Sequence, residues 1–245
     1  MKTSGLEFLS AMRYPGRFII MGSDPTGNFS VVAYGLTGRS ASSQARKLEA
    51  EGGTVWTKPL DPEILKTGNP DLLIYPAVII QSGLAVSNGR QTTDIAGRMA
   101  STPSPREALS FALKAWDYEP DSPIFTPRLS GCLFPDGRAA LSIIRRAASG
   151  ASIRDIYDVP AVSGGGRFMA TYRGGDKDPI LAWEGGPQEV KLEQSSAAEL
   201  AAAVFEALAP QVPGADYRVA CAALFIRRDA PQEVSRHIIN RRERI

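Results

Sequence analysis

Arg17-Phe18-Ile19-Ile20-Met21, then Gly22-Ser23-Asp24-Pro25-Thr26-Gly27-Asn28, then Phe29-Ser30-Val31-Val32-Ala33-Tyr34-Gly35-Leu36-Thr37 is the stretch from which the fold is read. Two runs rich in Val, Ile and aromatic residues flank a dense turn signal, so they are expected to pair as a β-hairpin. Further strands are expected at Thr54–Thr57, Leu72–Ile80 and Gly83–Ser87, with Pro76 marking an edge or a bend because it cannot donate to a ladder. Arg128–Phe134, Ala139–Arg145, Ile153–Val159, Arg167–Tyr172, Ile180–Trp183 and Tyr217–Ile226 read the same way. Two helices stand out. Ser104-Pro105-Arg106-Glu107 is a capping box with Pro at the first helical position, followed by Leu109, Ala112, Leu113 and Trp116 on one face. Pro120 requires that helix to end near Asp117-Tyr118-Glu119. The second runs from the Ser196/Glu199 box through Leu200, Val204, Ala207 and Leu208 and stops before Pro210. Strands outnumber helices and no regular βαβ alternation occurs, which predicts an α+β fold of mostly antiparallel sheet.

The chain has 245 residues and a mass of 26.3 kDa, enough for one large core without disulfides or metals. It reads as a single domain spanning 1–245, with no linker long enough to divide it and a basic C-terminal extension at about 227–245. Net charge is +2, carried by 7 Lys and 21 Arg against 26 acids, which argues against wrapping a polyanion. The tail from Arg227 onward holds six Arg against Asp229, Glu233 and Glu243 and is expected to start with a short helix on a solvated face; nucleic acid is not expected as a partner. Cys132 and Cys221 lie in apolar runs and read as buried reduced thiols. His237, the sole histidine, sits in the tail, so a His-bearing zinc site is excluded and a His-dependent triad would have to recruit it from there. The apolar stretch near Leu6–Met12 contains Glu7 and meets Arg13, unlike a signal peptide, and Leu72–Ile80 is too short to cross a bilayer; a cytoplasmic protein with no membrane partner is expected.

Polar and glycine-rich strings interrupt the strands: Tyr14-Pro15-Gly16-Arg17, Gly38-Arg39-Ser40, Ser87-Asn88-Gly89, Asp117-Tyr118-Glu119-Pro120-Asp121, Thr126-Pro127-Arg128 and Gly164-Gly165-Gly166-Arg167. Each alone is first of all a turn or a surface charge. Their order, YPGR, a hairpin to TGRS, an apolar strand holding Tyr75, SNG, DYEPD and TPR, resembles the IMP cyclohydrolase family in its single-function, archaeal form. The resemblance is clear over residues 14–131 and weaker through Gly164–Tyr172.

That resemblance implies a four-layer αββα sandwich like the N-terminal-nucleophile hydrolases, without their self-processing nucleophile. It implies closure of the second ring of formylated aminoimidazole-carboxamide ribotide, with loss of water, to inosine monophosphate, the final step of purine synthesis. The reacting carboxamide nitrogen and formyl carbon sit on one imidazole, so no protein nucleophile, metal or redox cofactor is needed. The enzyme holds the reactive rotamer, stabilises the oxyanion and moves protons. By resemblance Arg39, Tyr75 and Glu119 are the catalytic candidates, with Glu119 as proton shuttle raised in pKa by a helix C-terminus. Tyr75 would donate to the formyl oxygen, and Arg39 would serve the oxyanion or the phosphate. Asn88 and Gly89 would face the carboxamide or base edge; Arg17, Arg128 and the Gly164–Arg167 loop are phosphate candidates, and Tyr118 a packing or ring-stacking residue. Asp94 and Asp121 read as loop or capping residues. The implied partner is a small purine ribotide, and a homo-oligomer is expected. Two alternatives stay open: an amide hydrolase that exposes Thr3 or Ser4 as a terminal nucleophile, and a non-enzymatic nucleotide- or RNA-binding module using the Arg-rich tail.

Overall fold

In the computed structural model, which describes residues 5–61, 63, 73–211 and 214–242, the quoted stretch is a hairpin. β1 (Arg17–Ser23) pairs antiparallel with β2 (Phe29–Thr37), Ile19 opposite Tyr34 and Met21 opposite Val32. Asp24 closes the turn by accepting hydrogen bonds from Thr26 N (3.1 Å), Thr26 Oγ1 (2.5 Å) and Phe29 N (2.8 Å). Its burial is outweighed by those bonds, so its pKa is lowered.

The hairpin is the middle of an antiparallel sheet ordered β11 (Gln188–Lys191), β10 (Gly165–Ala170), β1, β2, β12 (Arg218–Arg227), β13 (Val234–Asn240). A second antiparallel sheet runs as a meander through β3 (Arg46–Glu51), β4 (Thr54–Pro59), β5 (Tyr75–Gln81), β6 (Gly83–Ser87), β7 (Arg128–Leu133), β8 (Ala139–Arg146) and β9 (Ser152–Val159).

Side chains alternate across each strand, so β1 serves two cores. Ile19 and Met21 pack between the sheets with Tyr75, Leu84, Leu129 and Leu141. Phe18 and Ile20 face the other way, against the 3₁₀ helix Glu7–Ala11 and α4 (Ala197–Ala207). On the outer face of the second sheet, α2 (Gln91–Met99) and α3 (Pro105–Ala112) pack Ile95 and Leu109 on Ala85, Cys132 and Ala140. A further helix among the described residues, α1 (Ala41–Gln44), is one turn capped by Ser40, whose hydroxyl accepts from Ser43 N. Phe18 is wholly buried, worth roughly 1.5–3 kcal/mol for a side chain of its size. Both cysteines are free and buried, and burial pushes their thiols up to about 12.

Several expectations are corrected. Pro76 lies in an interior strand of the second sheet; a register shift between Val55/Val78 and Trp56/Pro76 supplies the bend, and the edge alternative fails. Residue 72 lies outside the described residues. The helix from Ser104 stops at Ala112 rather than near Asp117–Glu119, since Trp116 leaves the helical path to donate to Asp94 (2.8 Å) and stack under Arg128 (4.7 Å). Ile180–Trp183 is no strand but one isolated bridge, Ala182 to Tyr172. The tail is strand β13 rather than a helix, in keeping with β-branched Val234, Ile238 and Ile239. Most of its charge is engaged within the chain: Arg227 on Asp229, Arg236 on Gly52 O and Arg241 on Asp216.

Candidate active site

Gly16 sets the first residue of the site. Its φ is +74°, and a Cβ there would fall 2.1 Å from Thr171 Oγ1 and 2.5 Å from the Tyr172 ring, so only glycine lets β1 start against that segment. Arg17 follows on the inter-sheet face, 8% exposed, and its Nη2 meets Glu119 Oε1 at 2.6 Å. Burial works against its charge, but Glu119 and the hydroxyls of Tyr75, Tyr172 and Tyr34 outweigh it, holding Arg17 protonated well above its ordinary pKa. Among the described residues, no acceptor meets the buried Arg17 Nε.

Glu119 comes from the α3–β7 loop and is 2% exposed. It does not emerge at a helix C-terminus, because α3 ends seven residues earlier, so the helix dipole is not what raises its pKa. Burial raises it, against the opposing pull of Arg17 and Arg128. Asn88 holds the carboxylate: its Nδ2 donates to Glu119 Oε1 (3.2 Å) and Pro127 O (2.9 Å), while its Oδ1 accepts from Leu129 N (2.7 Å) and Gln91 Nε2 (3.2 Å). An amide has two donors and two acceptor positions, so Asn88 is fully used inside the protein. Gly89 makes room for what comes next, since a Cβ would lie 2.4 Å from Gln91 Oε1 and 2.8 Å from Arg128 Nη1. Arg128 Nη1 donates to Gln91 Oε1 (3.2 Å) and its Nε to Asp117 O (2.7 Å), over the Trp116 ring.

Tyr75 is 1% exposed, its hydroxyl 2.8 Å from that of Tyr34. Burial, then Tyr75, keeps the Tyr34 phenol protonated well above its usual range. Arg39 stands further out, half-buried over the Tyr14 ring at 5.3 Å, and bonds Asp176 O (3.0 Å) and Asp178 Oδ1 (2.9 Å). Tyr14 stacks on Tyr172, linking Arg39 to the cluster through rings.

Two expected residues lie elsewhere. Tyr118 turns away from Glu119: its hydroxyl donates to Gly150 O (2.8 Å) and its ring meets Phe125 edge-on. Arg167 sits opposite Met21, four residues along β1 from Arg17, or roughly 13 Å at strand rise, and pairs with Glu189 at 2.9 Å. The glycines before it are turn and strand rather than an open anion loop, with Gly164 N donating to Asp24 O and Gly165 N to Val162 O. Thr3 and Ser4 lie outside the described residues.

Sequence reasoning missed Arg46. It is 3% exposed at the start of β3, and burial lowers its pKa. Among the described residues its one side-chain hydrogen bond is Nε to Ser43 O (2.9 Å), and no carboxylate pairs with it. Tyr75, Tyr34 and Arg17 are near enough to feel its charge. A signal existed: at period 2, Arg46 is in phase with Leu48, a core residue, so it had to point inward. No three His, Cys, Asp or Glu side chains among the described residues converge as metal ligands.

The geometry is that of an α+β protein with a buried polar cluster in which arginines and tyrosine hydroxyls surround the Glu119 carboxylate. The chain belongs to the family described as IMP cyclohydrolase-like protein, whose pattern matches residues 14–230, well beyond the 14–131 over which the motifs are most distinct. It is 30% identical to the IMP cyclohydrolase of Methanothrix thermoacetophila over 219 residues, covering 88% of this chain and 94% of that one. The Methanopyrus kandleri IMP cyclohydrolase is 38% identical over 124 residues, and that of Halobacterium salinarum 36% over 136. This chain spans 59% and 64% of the length of those two relatives.

Proposed function

We propose that the chain is an IMP cyclohydrolase, closing the pyrimidine ring of a formylated aminoimidazole-carboxamide ribotide with loss of water. One observation carries this reading beyond family membership. Arg17 and Arg128 are buried beside the buried carboxylate of Glu119 and Arg46 is buried within reach of the Arg17 charge, while among the described residues Arg17 Nε meets no acceptor and Arg46 donates only to Ser43 O. Burying a cation without a counter-ion is costly, and an anionic ligand removes that cost. A ribotide brings a phosphate and, during ring closure, a transient oxyanion.

In this reading the buried arginines take the phosphate and the developing oxyanion. Tyr75 donates to the formyl oxygen. Glu119 relays the proton from the attacking nitrogen to the departing hydroxyl, its carboxyl held above the ordinary carboxylate range by burial. Asn88 fixes the Glu119 carboxylate rather than reading the base, and Arg39 closes the rim. Gly89 leaves room for the Gln91–Arg128 contact, whereas Tyr118 and Arg167 brace the framework.

We further infer the four-layer αββα arrangement of the N-terminal-nucleophile-hydrolase type, supported by α2 and α3 packing outside one sheet and α4 outside the other. The same reading treats the whole chain as one domain, with β13 completing its sheet. A homo-oligomer is also part of the proposal, with exposed Phe111, Val162 and Leu181 as apolar surface for it, to be read by light scattering on a sizing column. Among the described residues no helix is long and apolar enough to cross a membrane. The direct test is incubation with the formylated ribotide and chromatographic detection of inosine monophosphate. Formation above the spontaneous rate is expected, and its absence with a folded protein would overturn the reading.

A further inference from the structure

Thr126 stands at a junction that the proposed chemistry does not itself use. Asp121 accepts from Thr126 N at 2.7 Å and from Thr126 Oγ1 at 2.5 Å. Thr126 O accepts the main-chain N–H of Glu119 at 2.9 Å. Thr126 Oγ1 also lies 2.6 Å from the hydroxyl of Tyr172, which is 3% exposed. A threonine hydroxyl has one proton, and a carboxylate is an acceptor only. The Thr126 proton is therefore committed to Asp121, and the Tyr172 hydroxyl must donate to Thr126. Tyr172 then turns only lone pairs toward its remaining neighbours, among them the Arg17 guanidinium.

The geometry points to Asp121, acting through Thr126, as a positioning residue with two outputs. It anchors the backbone that carries Glu119 to the buried Arg17. It also fixes the polarity of Tyr172, so that Tyr172 accepts a hydrogen bond from an N–H or O–H of the bound ribotide and discriminates against a group that can only accept. The inference rests on the cyclohydrolase reading and adds a specificity element to it. It also gives a reason for the spacing of Glu119, Asp121 and Thr126: the loop folds back on itself, with Phe125 at φ 51° and both Ile124 N and Phe125 N donating to Asp121 O.

The test uses the full chain with Thr126→Val, Thr126→Ser, Tyr172→Phe, the Thr126→Val/Tyr172→Phe double variant and Asp121→Asn, each checked for its melting temperature. Thr126→Val and Tyr172→Phe should each raise KM for the formylated ribotide about tenfold, the scale of one hydrogen bond to a polar partner. The double variant should match the worse single rather than multiply the two, and Thr126→Ser should recover most of the loss. In Asp121→Asn, kcat should fall and the acidic limb of its pH profile should move toward the ordinary carboxylate range, as Glu119 loosens from its buried place. Glu119 is faced there by Arg17 from β1, Arg128 from β7 and Asp121 from its own loop. Because the Asp121 charge itself raises the Glu119 pKa, the profile that decides is that of Thr126→Val, which keeps this charge: its acidic limb should move the same way, whereas a purely structural role would scale kcat equally at every pH and leave that profile in place. That outcome, or multiplicative loss in the double variant, overturns the inference. If wild type makes no inosine monophosphate, the reaction reading falls instead. The positional claim is then read from hydroxyl-proton NMR: slowly exchanging Thr126 and Tyr172 protons should vanish together in Asp121→Asn, and persistence of the Tyr172 signal refutes it.

Discussion

Replacing Arg46 with Met should make the free protein more stable and the liganded protein worse. The guanidinium is buried and lies within reach of the Arg17 charge; among the described residues it donates one side-chain hydrogen bond, to Ser43 O, and pairs with no carboxylate. Exchanging buried charge for an apolar side chain of similar length stabilises by about 1–4 kcal/mol, and losing the Ser43 bond offsets about 1–2 of that. A net gain near 1–2 kcal/mol raises the melting temperature of a chain this size by about 2–8 °C. The assay is thermal unfolding in phosphate-free buffer at neutral pH, repeated with inorganic phosphate and with the non-formylated ribotide. Either ligand should raise the wild-type midpoint by mass action. In Arg46→Met that shift should shrink, because a lost charge-assisted bond of about 1.5–3 kcal/mol weakens binding about 10- to 150-fold. A lower midpoint for the apo variant, together with an unchanged ligand shift, would refute the assignment of Arg46 as an anion-seeking residue.

Other expectations follow from the same contacts. Glu119→Gln and Tyr75→Phe should each slow turnover by at least about a hundredfold, measured as initial rates of product formation with folding checked by circular dichroism. Because burial raises the Glu119 pKa, the acidic limb of the wild-type profile should lie above the usual carboxylate range, and removing the opposing charge with Arg17→Met should move it higher still. Asp24→Ala should cost about 1–3 kcal/mol by freeing the turn donors Thr26 and Phe29. The Asp24 pKa is lowered in the fold, so its contribution is full above about pH 4 and fades as pH falls further; denaturant melts at pH 7 and pH 3 should show the wild-type advantage shrinking. Cys132 and Cys221, with thiols raised to about 12, should resist iodoacetamide at pH 8 until the chain is unfolded, as mass spectrometry would show.

What could be read in advance had local causes. The β1–β2 hairpin, β6, α3 from its Ser104 cap and α4 from its Ser196 cap rest on turn chemistry, alternation and capping, which short segments carry by themselves. α2 escaped notice because the residues it buries include Gln91 and Thr92, turned inward toward Ser87, Asn88 and Arg128, so its stripe does not look apolar. β3, with Arg46, Lys47, Glu49 and Glu51, carries no apolar alternation to announce it, because an inward charge and an outward one are the same letter. β13 is a strand because β12 offers it an open edge, a fact about sheet order that no window of residues contains. In the candidate site, motif resemblance brought out Arg17, Tyr75, Asn88, Glu119 and Arg128, which the fold brings together. Arg167 was chosen for its glycines, and these turned out to be committed to β10 and the Asp24 turn. Asp121 looked like a loop residue and is one, yet its partners are Thr126 and, through it, Tyr172.

The sharpest measurement is titration calorimetry of the wild-type chain with aminoimidazole-carboxamide ribotide beside the matching riboside, which lacks only the phosphate. Unbalanced charge in the buried arginine cluster predicts that the ribotide binds at least about a hundredfold more tightly, with the difference largely lost in Arg46→Met. Equal affinity for the two compounds, or binding of neither, would contradict it.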